Sequence, residues 1–312
     1  LYQMAKDHYP ELYEKIKEKV ANGQWDICGN VWVEADTNVA SGEALIRQVL
    51  YGTEFFMNEF GKVSKTYWLP DCFGFTWALP QIINRCGMTN FITSKLSYND
   101  TNKFPFNMFR WQGNDGTQVM AHMMHPGYNG VFSVSELMTS DRECNNKEQL
   151  DTAMQMYGYG DGGGGPQFEM IETARRCEDL CDVPKTYHTS VSDFMKDLES
   201  TCVNPNTYRG ELYLELHRGT LTNQHTIKRN NRKSELLYQN TELVNSMAGK
   251  LLGAEYPQKE LNDGWECILL NQFHDIIPGS SIKSVYEGTD KDYAEIYDYI
   301  DKLFKEKLGK IT

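Results

Sequence analysis

No stretch of this chain is apolar over the roughly 18 residues that a membrane-crossing helix needs, and the opening Leu1-Tyr-Gln-Met-Ala-Lys6 lacks signal-peptide order. A membrane partner is therefore not expected. There is no basic excess: Lys+Arg total 31 against Asp+Glu 43, a formal net charge of −12 over 312 residues. Without a basic stripe a phosphate backbone finds no electrostatic footprint, which excludes nucleic acid as a partner. The eight cysteines (28, 72, 86, 144, 177, 181, 202 and 267) lack the paired short spacings of a zinc ribbon or a dense disulfide framework. Scattered cysteines in a chain of this length read as reduced thiols, and a cytoplasmic location is expected. The glycosylation triplet Asn99-Asp-Thr101 points the other way. An initiator methionine is also lacking, so the chain is expected to be a segment, with the remaining domains of a longer chain among its partners.

What is present reads first as α/β. Residues 1–21 carry apolar positions at helical spacing (Leu12, Ile16, Val20), and 25–34 read as a buried strand ending near Asp36. A helix over 41–60 follows. The strand 65–70 then stops abruptly at Asp71, 78–86 is helical, and 89–96 is strand-like again, which makes a β-α-β unit with Asp71 in its first loop. Loops at the carboxyl ends of parallel strands are where such folds place their chemistry. Residues 108–112 and 118–122 alternate around Asn114-Asp-Gly116, the pattern of a β-hairpin. Next come a loop over 126–141, a helix over 148–156, a helix over 168–180, a strand over 186–189 and a helix over 191–199. Strict alternation over 210–216 puts Leu212, Leu214 and Leu216 on one face and Glu211, Tyr213 and Glu215 on the other. From Lys228 the pattern is helical throughout, with Leu236, Leu243, Met247 and Leu251 expected as one buried stripe and Val285, Ile296, Ile300 and Leu303 as another. The expected architecture is a barrel-like (β/α) domain over 1–220, incomplete at its N-terminus, followed by a three-helix bundle over 221–312.

Four separated motifs carry a resemblance. They are Trp68-Leu-Pro-Asp-Cys-Phe-Gly-Phe75, Tyr157-Gly-Tyr-Gly-Asp-Gly-Gly-Gly-Gly-Pro166, Glu211-Leu-Tyr-Leu-Glu-Leu-His-Arg-Gly-Thr220 and Asn271-Gln-Phe-His-Asp-Ile-Ile-Pro-Gly279. In this order they resemble the family-38 α-mannosidases of the cytosolic and vacuolar branch, over nearly the whole chain. The resemblance implies a zinc-dependent, retaining α-mannosidase acting on mannose-containing oligosaccharides through a covalent mannosyl-Asp intermediate, with vacuole or lysosome as the alternative location. A homo-oligomer is compatible with it.

Carried over motif by motif, the resemblance makes Asp71 both nucleophile and zinc ligand and His274 a second ligand. The acid/base falls on Glu215 or His217, with Glu211 behind them, while Trp32, Glu34, Asp36, Asp161 and Asp275 line the sugar site. One departure stands out. The family draws two further zinc ligands from a His-x-Asp motif near the start of its catalytic domain, and this chain contains no His-x-Asp anywhere. A catalytically inactive carbohydrate- or cargo-binding paralogue is one alternative. The other is a nucleotide-dependent transferase using the loop 162–165, although that loop has neither a Gly-Lys-Ser/Thr nor a GxGxxG order.

Overall fold

The computed structural model describes residues 1–161 and 163–312, so Gly162, the first glycine of the run considered for nucleotide binding, lies outside the described residues. The chain forms two compact units: Leu1–Asn30, Gly52–Asp71 and Thr76–Leu216 make the first, and Val31–Tyr51, Cys72–Phe75 and His217–Thr312 the second. No described helix is long and apolar enough to cross a membrane.

In the first unit the expected N-terminal helix is two helices, α1 (Tyr2–His8) and α2 (Pro10–Ala21). Pro10 has no N–H for a preceding turn, so it ends α1 and opens α2. Val20, Ile27 and Phe56 are buried together there, and Phe56 belongs to α3 (Gly42–Phe60). Residues 25–34 do not form the expected strand: Gly29 and Asn30 have φ of 100° and 52°, left-handed backbone that interrupts a ladder.

The β-α-β unit forms as expected, with β1 (Thr66–Trp68), α4 (Leu79–Arg85) and β2 (Asn90–Thr93), the two strands pairing in parallel. The hairpin also forms, as β3 (Met108–Gln112) against β4 (Gln118–Met123), closed by the Asp115 carboxylate, which accepts from the Thr117 N–H and hydroxyl. With β5 (Thr207–Arg209) the sheet runs β1-β2-β4-β3-β5, parallel except for β3–β4. Among the described residues β1 and β5 are its edges, an open mixed sheet that does not close the expected barrel.

Four further expectations fail in this unit. Helix α5 (Val134–Glu143) occupies part of the expected loop, started by a capping box between Ser133 and Glu136. Residues 148–156 are irregular although Leu150 and Met154 are buried, and 186–189 form no strand. The stretch 210–216 buries Leu212 and Leu214 as its alternation demands but is not a strand, and Leu216 is 40% exposed. Helices α6 (Phe168–Arg176) and α7 (Val191–Thr201) lie where expected, and Phe194, Met195 and Leu198 of α7 join Ile92, Met108 and Met120 in the core.

The second unit holds the long helices α8 (His225–Leu252), α9 (Gln258–Asn271) and α10 (Lys283–Ile311). Their buried faces differ from the expected stripes. Leu236, Leu243, Met247 and Leu251 are all exposed by 43% or more, whereas Asn231, Ser234, Glu235, Tyr238, Thr241 and Asn245 are buried. On α10 the buried side chains are Tyr286, Thr289, Tyr293 and Ile300, so of the expected four only Ile300 is fully enclosed. The ring of Tyr238 meets Trp265 edge-on with centroids 5.8 Å apart.

Candidate active site

In the first unit, three neighbouring parallel strands run out at one end of the sheet, and their continuations bring three polar side chains together. Asp71 follows β1, Lys95 follows β2 and Tyr128 lies beyond β4. Two bonds tie the first two exits: the Leu69 N–H donates to the Ile92 carbonyl at 3.0 Å, and the Ser94 hydroxyl to the Pro70 carbonyl at 2.8 Å. The Lys95 ammonium is buried and paired directly with Asp71 Oδ1. It also sits 4.9 Å from the centre of the Tyr98 ring and 5.6 Å from that of Tyr128, positions where a cation is attracted to the ring faces.

Tyr128 extends the chain of contacts to the glycine-rich loop. Its hydroxyl donates to Asp161 Oδ1 at 2.5 Å. Burial, that hydrogen bond and the Asp71 carboxylate hold the hydroxyl well above the ordinary tyrosine range, so it keeps its proton. The loop is held at its base by paired residues, Gly130 with Gly158 and Tyr159 with Gly165. At Gly158, φ is 120° and a Cβ would lie 3.0 Å from the Gly165 carbonyl carbon, so only glycine suits the position.

Glu215, also in this unit, has a different environment. Its carboxylate accepts the N–H groups of Thr101 and Asn102 and the Asn102 side-chain amide, and these bonds hold its pKa down at about 2. Its own N–H donates to Asn99 Oδ1 at 2.8 Å. A carboxyl so far below neutrality is an anchor for the 99–102 turn and a poor proton donor.

In the second unit, Ala35 bridges Phe273, and the His274 N–H donates to the Glu34 carbonyl at 2.9 Å, so backbone pairing alone brings Glu34 and His274 together. His274 is 4% exposed; its Nδ1 lies 3.8 Å from Glu34 Oε2 and its Nε2 3.7 Å from Asp275 Oδ2. Cys72 is fully buried, its thiol donating to the Ala35 carbonyl at 3.4 Å. Glu34, Cys72 and His274 can each turn a donor atom to within 4.8 Å of the others. Phe73 lies against both His274 and His217, at ring distances of 5.9 and 4.7 Å, and His217 takes a left-handed backbone with φ 55°.

Two expected sugar contacts have other partners here. Asp36 is buried, its Oδ1 accepts from the N–H groups of Asn38 and Val39, and burial raises its pKa. Trp32 is half-buried, edge-on to Tyr51 at 6.3 Å.

The chain's likeness to known proteins runs over nearly its whole length. Residues 1–211 match the model of the glycosyl hydrolases family 38 N-terminal domain, and 215–311 that of the alpha mannosidase middle domain. The chain belongs to glycosyl hydrolase family 38. This family-38 chain is 42% identical to alpha-mannosidase G of Dictyostelium discoideum over its whole length, which covers 29% of that protein. It is 39% identical to human alpha-mannosidase 2C1, with 96% of the chain and 29% of that protein covered. Against the alpha-mannosidase of Saccharomyces cerevisiae the identity is 37%, over 91% of the chain and 27% of that protein. The chain thus spans less than a third of each of these relatives. The crystal structure of an alpha-mannosidase from Enterococcus faecalis V583 superposes with a TM-score of 0.84 at 20% identity, covering 98% of this chain and 36% of that one, a likeness of fold.

Sequence reasoning on the family-38 chain passed over Lys95 and Tyr128. A signal existed for Lys95: β1 and β2 form a βαβ pair, so whatever follows β2 must lie beside Asp71. Nothing local marks Tyr128, which reaches the group only because β4 pairs with β2.

Proposed function

We propose that this chain carries the catalytic carboxylates of a retaining α-mannosidase that removes terminal α-mannosyl residues from oligosaccharides. The observation that supports it most is the run of contacts Asp71, Lys95, Tyr128, Asp161, which ties two carboxylates to one donor system within one unit. Retaining glycosidases use two such groups about 5–5.5 Å apart. Asp71 attacks the anomeric carbon while Asp161, as general acid, gives a proton to the departing glycosidic oxygen. The C–O bond to the leaving group breaks and an ester to Asp71 forms. Water then attacks the same carbon, loses its proton to the Asp161 carboxylate, and displaces Asp71. We place the acid on Asp161 in preference to Glu215, which is engaged as an acceptor with a pKa of about 2, and keep His217 as the alternative.

His274 remains our candidate zinc ligand. Imidazole, carboxylate and thiol are all zinc donors, so the set of His274, Glu34 and Cys72 suits that ion. Zinc, when bound, would hold sugar hydroxyls and aid distortion of the ring. Asp275, whose Oδ1 accepts from the Ser280 hydroxyl at 2.8 Å, and Trp32 are kept as sugar contacts. We read 1–220 as the catalytic domain and 221–312 as the helical middle domain. A non-catalytic carbohydrate binder is the second reading, favoured by the missing His-x-Asp. The test uses the full-length protein with a fluorinated mannosyl fluoride that traps the ester: the label belongs on Asp71. A label on another residue, or sugar binding without turnover or labelling, overturns the mannosidase reading.

A further inference from the structure

A lysine ammonium is costly to bury unless paired. The Lys95 ammonium is buried on Asp71 Oδ1 and lies near the rings of Tyr98 and Tyr128. Tyr128 turns its ring to Lys95 and its hydroxyl to Asp161. One cation therefore touches the first carboxylate directly and the second through a single aromatic side chain.

We propose that Lys95 is a positioning residue that fixes the Asp71 carboxylate for attack and, by seating the Tyr128 ring, sets where Asp161 stands relative to it. The proposal rests on the mannosidase reading. It adds that the separation of the two carboxylates is held by Lys95 and Tyr128 rather than by backbone alone. A carboxylate left free to swing is misplaced by about an ångström, and errors of that size cost on the order of 100-fold in rate.

The experiment is done on the full-length protein, with turnover of an aryl α-mannoside and the rate of labelling by an activated fluorinated mannosyl fluoride. That fluoride needs no protonation to leave, so its labelling reads Asp71 alone. Lys95→Met should lower the labelling rate about 100-fold with KM within a few-fold, measured at a temperature where the variant is fully folded; Lys95→Arg, which keeps the cation, should recover much of it. Tyr128→Phe should label at the wild-type rate but turn over poor leaving groups slowly, since only the hold on Asp161 is lost. If Lys95→Met does not fold, Lys95→Gln is read in its place. Labelling of Lys95→Met or Lys95→Gln at the wild-type rate overturns the proposal, as does a loss that only tracks melting. A wild-type protein that neither turns over nor labels sinks the mannosidase reading, and the proposal with it.

Discussion

A Cβ placed on Gly264 would stand 1.8 Å from the hydroxyl oxygen of Tyr238 and 2.3 Å from its ring. Helix α9 thus offers α8 a notch, and the tyrosine fills it, its hydroxyl 3.4 Å from the Ile296 carbonyl of α10. Gly264→Ala should therefore destabilise the second unit even though alanine is the better helix former; overpacking typically costs about 1–3 kcal/mol. Thermal melts decide it: a rise in Tm would show that the ring moves aside freely.

Replacement of the two competing acids separates them. Asp161→Asn should depress turnover of mannosides with poor leaving groups by roughly 100-fold or more and spare activated ones, as loss of a general acid does. Glu215→Gln should leave that leaving-group dependence unchanged. The reverse result would return the acid role to Glu215.

Glu215→Gln should instead appear in acid stability. The folded pKa of about 2 lies below the ordinary 4.5, so the carboxylate contributes stability that is complete above about pH 4.5 and is lost as pH falls toward 2. The variant's denaturation midpoint should vary less over that window, followed by urea unfolding at stepped pH. Parallel pH curves for variant and wild type would contradict the anchor role.

His122 acts in the same direction, from a different cause. It lies fully buried on β4, edge-on to Phe194, with no hydrogen-bond partner for either ring nitrogen among the described residues, and burial lowers its pKa to about 4. The unfolded chain takes up a proton near pH 6.5 that the folded chain refuses until about 4, so stability falls as pH drops through that window, by roughly 3 kcal/mol in all. His122→Met should flatten the fall. An unchanged slope in the variant would place the titration elsewhere.

How far sequence reasoning carried can be judged from single elements. The β3–β4 hairpin was legible because two-residue alternation and Asn114-Asp-Gly116 agree, and the βαβ unit because Pro70 follows its first strand and Gly87 its helix. The face of α8 was not legible. Much of its buried side is polar: Glu235, at 0% exposure, accepts from the Ser41 N–H and from the amides of Asn231 and Gln272, and pairs with Arg232. Hydropathy assigns such a face to solvent, and its leucines to the core, because part of the compensating hydrogen bonding, from Ser41 and Gln272, comes from far away in sequence. Helix α5 was announced by Ser133 and Glu136, a capping signal that the reading of 126–141 as a loop passed over. At the site, Asp71 and His274 came from motifs. The link from Lys95 to Asp161 depends on strand pairing that no local pattern encodes.

Metal loading tests His274. In the full-length protein His274→Ala should release most bound zinc on dialysis, read by elemental analysis, because each zinc ligand contributes several kcal/mol to binding. Retention of one zinc per chain would assign the ion to other donors.

Asn99, the acceptor position of the glycosylation triplet, is 4% exposed, its amide donating to the carbonyls of Tyr213 and Asn102 while its oxygen receives the Glu215 N–H. Sugar transfer needs that same amide nitrogen. In a secretory host the glycan and the closed 99–102 turn therefore compete for one atom, and a chain modified before it folds would lose the turn. Material for the experiments above is better made where no oligosaccharide is transferred, or with Thr101→Ala, which removes the triplet and keeps the backbone N–H that Glu215 uses.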